Sequence, residues 1–190
     1  RLRKPITGLS SRLKLFEANV DPVLRLMHRT GIQSTGWVDT TDVCKQAFHT
    51  KVDIDLQCED WRTLKPLETT DIAPFKIASV DIECYSSTGK FPDPTVKGDS
   101  CFQIAISMLR FGEDEPYDKT CLCYKQTDPD LQGCSIISYS SERDLLMGFT
   151  EYINKNDVDI ITGWNIFGFD LDYIMERGLV NNCPLAFFGM

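Results

Sequence analysis

Three acidic side chains stand at spacings suited to metal-assisted chemistry. Asp81 and Glu83 lie within Phe75-Lys-Ile-Ala-Ser-Val-Asp-Ile-Glu-Cys84, and Asp170 closes Ile160-Ile-Thr-Gly-Trp-Asn-Ile-Phe-Gly-Phe-Asp170. A strand period of two sends Ala78, Val80 and Ile82 to one face of the first segment and Ser79, Asp81 and Glu83 to the other. Two carboxylates therefore share one side. If Asp170 folds against them, three negative charges converge, an arrangement that is costly unless divalent cations neutralise it. Phosphodiester hydrolysis assisted by two metal ions is the chemistry that uses such a cluster.

The elements that must position these acids can be read from pattern and punctuation. Asp21 as N-cap, Pro22 at the first helical position, the apolar set Val23, Leu24, Leu26 and Met27, and Gly31 as a stop predict a helix from Pro22 to about Thr30. A short strand begins at Gly36-Trp-Val38, and Ile54, Leu56 and Cys58 alternate with acids between Asp53 and Trp61. Residues 1–72 read as a smaller α/β amino-terminal unit, with Pro66 and Pro74 bracketing the boundary and residues 73–190 forming a second domain. There the pattern predicts strands over Lys76 to Cys84, Phe102 to Arg110 and about Lys119 to Tyr124, with a short one at Ser135 to Tyr139. Ser141-Glu-Arg-Asp144 resembles a capping box, and Leu145, Leu146, Phe149, Tyr152 and Ile153 fall at helical spacing. That helix should end near Asn156, before a strand from Val158 to Ile161 and a last helix running from near Phe169 to a stop at Gly178. The sum is an α/β fold, a mixed sheet with helices against it.

Composition bounds the function. The chain has 190 residues, a formal net charge of −8, 42% hydrophobic and 25% charged residues, ordinary values for a globular protein. No apolar run approaches a membrane span, and no signal-peptide pattern follows the basic amino end. The acidic balance argues against a surface that simply coats nucleic acid. A metal-dependent nuclease centre is still compatible with it, because bound cations invert the local field. Arg1, Arg3, Lys4, Arg12 and Lys14 precede the first acid, Glu17, and read as a solvated terminal segment, with phosphate contact as the lesser alternative. The eight cysteines show no framework spacing and read as reduced thiols of a cytosolic or nuclear protein. Cys121-Leu-Cys123 is too closely spaced for a zinc pair, and reads as two cysteines on one strand face. The chain reads as a fragment of something longer.

Both acidic segments, in this order and on these elements, resemble the first two exonuclease motifs of family B DNA polymerases, closest to the delta-type enzymes of eukaryotes and large DNA viruses. Asp81-Ile82-Glu83 matches the first motif, supported by Ala73-Pro74, Gly89-Lys-Phe-Pro92 and Gln103-Ile104-Ala105. Asn165-Ile-Phe-Gly-Phe169-Asp170, after Asp159-Ile-Ile-Thr-Gly163, matches the second, and Thr30-Gly-Ile-Gln-Ser-Thr-Gly-Trp37 resembles the preceding amino-terminal domain. The resemblance implies an incomplete ribonuclease-H-like 3′–5′ exonuclease domain, behind the smaller α/β domain, within a proofreading DNA-directed DNA polymerase. It implies that Asp81, Glu83 and Asp170 bind two Mg²⁺ or Mn²⁺ ions and that Asn165 and Phe169 contact or support the frayed primer end. It also implies as partners a DNA primer-template, a single-stranded 3′ end, deoxynucleoside triphosphates and a sliding clamp, in a nucleus or viral replication compartment.

Plainer readings stand beside these. Asp170 equally suits a first helical turn, stabilised by the helix dipole, Phe169 suits core packing somewhat better than a site role, and Trp164 offers a ring for base stacking but, beside a strand end, reads as packing. The family's third motif, Tyr-x-x-x-Asp, is not matched after Asp170. Tyr124-Lys-Gln-Thr-Asp128 has the spacing but the wrong chain order, and His28 and His49 also precede the acidic motifs. The third motif and the polymerase signatures are expected beyond residue 190, so residues 1–190 alone are expected neither to polymerise DNA nor to degrade it efficiently. A free-standing exonuclease of the same fold and a non-catalytic nucleic-acid-binding or assembly module remain the alternatives.

Overall fold

The computed structural model describes residues 19–42, 45–46, 54–127, 132–183 and 185. The basic terminal segment, Cys44, His49 and Asp128 lie outside them. The chain divides into two compact units, Arg1–Thr70 and Asp71–Met190.

In the first unit, helix α1 (Pro22–Thr30) has the limits its punctuation predicts. The Asp21 carboxylate accepts the Val23 N–H at 2.8 Å, and Gly31, at φ 76°, turns the chain out through the left-handed conformation that glycine adopts without a Cβ penalty. Strand β1 (Val38–Thr40) pairs antiparallel with β4 (Leu64–Pro66), and β2 (Lys45–Gln46) with β3 (Leu56–Gln57). The alternation from Asp53 to Trp61 thus yields only a two-residue strand. The Cys58 thiol instead reaches the Asp60 carbonyl at 3.4 Å, and Asp60 caps a 3₁₀ turn, Trp61–Thr63. Local side-chain bonds have won over strand pairing there.

The second unit is built on a five-stranded mixed sheet of order β8-β7-β6-β5-β9. Strands β5 (Lys76–Cys84), β6 (Cys101–Arg110) and β7 (Asp118–Tyr124) form an antiparallel meander, while β8 (Ser135–Tyr139) runs parallel to β7 and β9 (Ile160–Thr162) parallel to β5. Helix α2 (Glu142–Asn156) connects β8 at one edge to β9 at the other, and α3 (Asp170–Val180) closes the described unit. The ribonuclease-H-like architecture expected from sequence, a mixed sheet with helices against it, is therefore present.

The core explains why these residues form these elements. Ala78, Val80 and Ile82 of β5, Ile104, Ile106 and Met108 of β6, and Leu122 of β7 are buried under Leu145, Leu146, Phe149 and Ile153 of α2 and Tyr173 and Ile174 of α3. Each fully buried Leu, Ile or Phe contributes about 1.5–3 kcal/mol relative to exposure. Ser141 caps α2 by accepting the Asp144 N–H at 3.1 Å, as the capping box predicts. The same alternation leaves Ser79, Asp81 and Glu83 exposed on the opposite face.

Two boundary shifts from the sequence expectation have a clear physical cause. Strand β9 starts at Ile160 rather than Val158, because Asp157 ends α2 in the left-handed conformation and the Val158 N–H still returns to the Ile153 carbonyl. Helix α3 passes through Gly178 to Val180. Gly178 is buried, and a Cβ there would press on Leu185 and the Cys183 carbonyl; the glycine serves close packing, not termination.

Candidate active site

The site forms where β9 stops short. It pairs with β5 only at Ile77, Ala78 and Ser79, ending at Thr162, so beyond Ser79 another segment must meet that edge of β5. Gly163 turns the chain in so closely that a Cβ would collide with the Val80 carbonyl. Asn165 follows in the left-handed conformation at φ 51°, which Asn tolerates better than most non-glycine residues. Its carbonyl accepts the N–H groups of Gly168 at 2.8 Å and Phe169 at 3.1 Å. This tight turn delivers Asp170 to the first position of α3.

Asp170 is 3% exposed. Its carboxyl is held above the ordinary range, first by burial and also by the negative charge of Asp81, against the lowering effect of its own N–H and that of Ile82. The influence of the Ile82 N–H sets Asp170 near β5. Asp81 is thus near enough for its charge to act on the Asp170 carboxyl. Among the described residues, however, no three His, Cys, Asp or Glu side chains gather into one metal-holding group. Glu83 shares the exposed face with Asp81, next to a register shift between Glu83 and Cys84, without closing the trio. Like charges resist that last approach unless a cation lies between them.

The donor set suits a hard divalent cation. Carboxylate oxygens are the ligands Mg²⁺ and Mn²⁺ prefer, and a buried acid within the field of a second acid is a position that such an ion would relieve.

Aromatic rings stand on the turn that leads to Asp170 and on the loop after β5. Phe169 packs partly against the core, with its ring centroid 5.3 Å from that of Tyr173 and 5.3 Å from that of Phe91. Phe91, in the loop after β5, is 77% exposed, and Phe167 and Trp164, in the turn leading to Asp170, are 80% and 92% exposed. The expectation that Trp164 packs into the structure is therefore wrong: Gly163 is spent on the approach to β5, and the next side chain is thrown into solvent. Phe91 and Phe167 were not singled out by sequence reasoning. The signal available for Phe91 was its place in Gly89-Lys-Phe-Pro92, and for Phe167 its place inside the second motif.

The other candidates stand away from this site. Cys121 and Cys123 share a face of β7 with their sulfurs 3.5 Å apart, as expected of strand cysteines, and the described cysteines are free thiols. Tyr124 ends β7. No helix among the described residues is long and apolar enough to cross a membrane.

A ribonuclease-H-like sheet with paired acids on β5, beside its short edge strand β9, has the form of a nuclease-type domain. The family described as DNA polymerase family B, exonuclease domain, matches residues 13–190, and the chain belongs to that family. It is 32% identical over 184 residues to the DNA polymerase of Paramecium bursaria Chlorella virus NY2A, covering 95% of this chain and 20% of that protein. It is 34% identical over 177 residues to the DNA polymerase catalytic subunit of Human herpesvirus 8 type P (isolate GK18), covering 89% and 17%. The DNA polymerase delta catalytic subunit of Glycine max is 33% identical over 187 residues, covering 95% and 17%. The chain thus spans about a fifth of the length of these relatives. In fold it is similar to the family B DNA polymerase from the hyperthermophilic archaeon Pyrobaculum calidifontis, with a TM-score of 0.62, 20% identity, and 94% of this chain and 20% of that one covered.

Proposed function

We propose that this chain is the acid-bearing part of a 3′–5′ proofreading exonuclease within a replicative DNA-directed DNA polymerase. In this reading residues 1–72 belong to the amino-terminal domain and 73–190 to the exonuclease domain. The observation that carries it is the match of residues 13–190 to these exonuclease domains, supported by a buried Asp170 at the start of α3 whose carboxyl feels the charge of Asp81.

Asp81, Glu83 and Asp170 would hold two Mg²⁺ or Mn²⁺ ions. When bound, such ions supply the Lewis acidity that makes water a nucleophile at neutral pH and stabilises a departing 3′ oxygen. The reaction consumes one water: its oxygen bonds to the terminal phosphorus, the P–O3′ bond breaks, and a nucleoside 5′-monophosphate leaves as the shortened strand regains its 3′-hydroxyl. Around that centre Asn165 and Phe169 would support the frayed primer end. The exposed faces of Phe91, Trp164 and Phe167 offer stacking surfaces for unpaired bases, a mode that tolerates any base because every base has a π-face. Primer-template DNA, deoxynucleoside triphosphates and a sliding clamp would be partners of the complete polymerase, working in a nucleus or viral replication compartment.

Excision of a single-stranded 3′-labelled oligonucleotide by the full-length protein, with Mg²⁺, Mn²⁺ or chelator, tests the reading. Metal-dependent release of mononucleotides that disappears in Asp81→Ala and Asp170→Ala supports it; excision unchanged by both substitutions contradicts it.

A further inference from the structure

The loop Tyr85–Ser100, which joins the Asp-Ile-Glu strand to β6 and carries Phe91, is fastened by a buried charge network. Arg177 is 1% exposed and Glu142 7%. The Arg177 guanidinium donates from Nε to Glu142 Oε1 at 2.7 Å and from Nη2 to Oε2 at 2.5 Å. Its Nη1 donates to the carbonyls of Pro94 at 3.0 Å and Val96 at 2.8 Å. Glu142 in turn accepts the Cys101 N–H at 2.9 Å, where β6 begins, and the Asn181 amide at 2.9 Å. Inside the loop, the buried Asp99 carboxylate accepts the Ser87 N–H at 2.8 Å, the Ser87 hydroxyl at 2.6 Å and the Asp93 N–H at 2.9 Å, bonds that hold it below the ordinary carboxylate range.

An ion pair this deeply buried gains little stability over an apolar pair of the same volume, because desolvation offsets the attraction; what it can fix is geometry. Here that geometry has a direction. Asp170, Tyr173 and Arg177 recur at helical spacing along one side of α3, and all three are buried. Tyr173 meets Phe169, and Phe169 meets Phe91. Asp170, the Tyr173 ring and the arginine of the loop clamp therefore share one stripe of α3.

We infer that the Arg177–Glu142 pair is a positioning device for the exonuclease site: by gripping the carbonyls of the loop, it holds Phe91 against Phe169 beside Asp170 and so sets how well a single-stranded 3′ end is seated. The inference rests on the exonuclease reading above. Lysine at position 177 keeps the charge for Glu142 but lacks the planar fork that reaches two carbonyls at once.

The test uses the full-length protein and a single-stranded 3′-labelled oligonucleotide with Mg²⁺. Arg177→Lys should raise KM about tenfold while kcat stays within about threefold, the pattern of lost substrate seating rather than lost chemistry. Hydrogen exchange should quicken in residues 85–100 while α2 and β6 stay protected. Phe91→Ala should raise KM similarly, and the double variant should be no worse than Phe91→Ala alone, because both changes act through one ring. Additive effects, or unchanged KM in a folded Arg177→Lys protein, overturn the inference. If α2 and β6 lose protection in Arg177→Lys, the same cycle is run with Glu142→Gln, which keeps the shape and an acceptor oxygen. If the unsubstituted protein shows no metal-dependent excision, the exonuclease reading itself has failed, a result distinguishable from normal excision that ignores the clamp.

Discussion

Asp170→Asn separates the two things this residue does. In chelator, the buried carboxyl beside Asp81 has a folded-state pKa raised above its ordinary value. A raised acid contributes its stability below the unfolded pKa, about 3.9 for Asp, and that contribution is lost as pH rises through the folded value. At neutral pH the charged Asp170 therefore weakens the fold, by about 1.4 kcal/mol for each unit separating the two values. Asparagine keeps the shape and an acceptor for the Ile82 N–H but removes the charge, so the substituted protein should lack that pH-dependent decline. Divalent cation should reverse the order. At a hundredfold excess over its dissociation constant, a ligand held only by the folded state adds about 2.7 kcal/mol, equivalent to roughly hundredfold slower exchange of core amides.

Hydrogen exchange in β5 and β6, with chelator or Mg²⁺ across pH 4 to 8, reads both effects. The expected result is greater protection of Asp170→Asn in chelator at pH 8, greater protection of the unsubstituted protein in Mg²⁺, and excision lowered by about 10²–10³, the scale for removing one charge-stabilising group from a catalytic centre. Equal protection by Mg²⁺ in both proteins would refute the reasoning, as would a chelator pH profile that does not separate them.

Three further outcomes are expected. Gly163→Ala must push its Cβ against the Val80 carbonyl, at a cost of about 1–3 kcal/mol, and should slow excision by displacing the turn that delivers Asp170; denaturation and excision assays on one preparation check both. Phe149→Ala empties a fully buried position under the sheet and should cost about 3–5 kcal/mol, measured by exchange of β6 and β7 amides, with metal dependence retained in the folded fraction. The Cys121 thiol, pushed from 9.0 to about 12 chiefly by burial and then by Cys123, should hold about a thousandfold less thiolate than an ordinary thiol at pH 8 and be among the last described cysteines alkylated by iodoacetamide, read by peptide mass spectrometry.

Strand β5 and helix α1 were legible because their signals are local. Alternation alone placed Lys76 to Cys84 and turned Asp81 and Glu83 outward, and Asp21, Pro22 and Gly31 gave α1 its limits. Gly178 was misread because a glycine that stops a helix and one that lets a neighbour pack closely are the same letter; the contact with Leu185 decides between them. Trp164 was misread because residue type carries no record of exposure. Glu142 was read only as part of a capping box and Arg177 not at all, for each resembles an ordinary solvated helix charge until two helices bring together residues that are 35 positions apart.

The same non-locality governs the acids. Nothing in either motif says that Asp170 comes near β5; that follows from the parallel pairing of Ile77 with Ile160, which fixes where β9 lies, and from its short length, which leaves the next stretch of β5 to be met by something else. A longer β9 would occupy that edge with its own backbone and keep α3 from beginning there. The glycine at 163 and the left-handed Asn165 thus matter even if neither touches a metal ion: they convert the end of a strand into the start of a helix within a few residues, so that a first-turn acid arrives at β5 instead of in solvent. Glu83, on the exposed face beyond that point, is then the acid whose position should depend most on a bound cation.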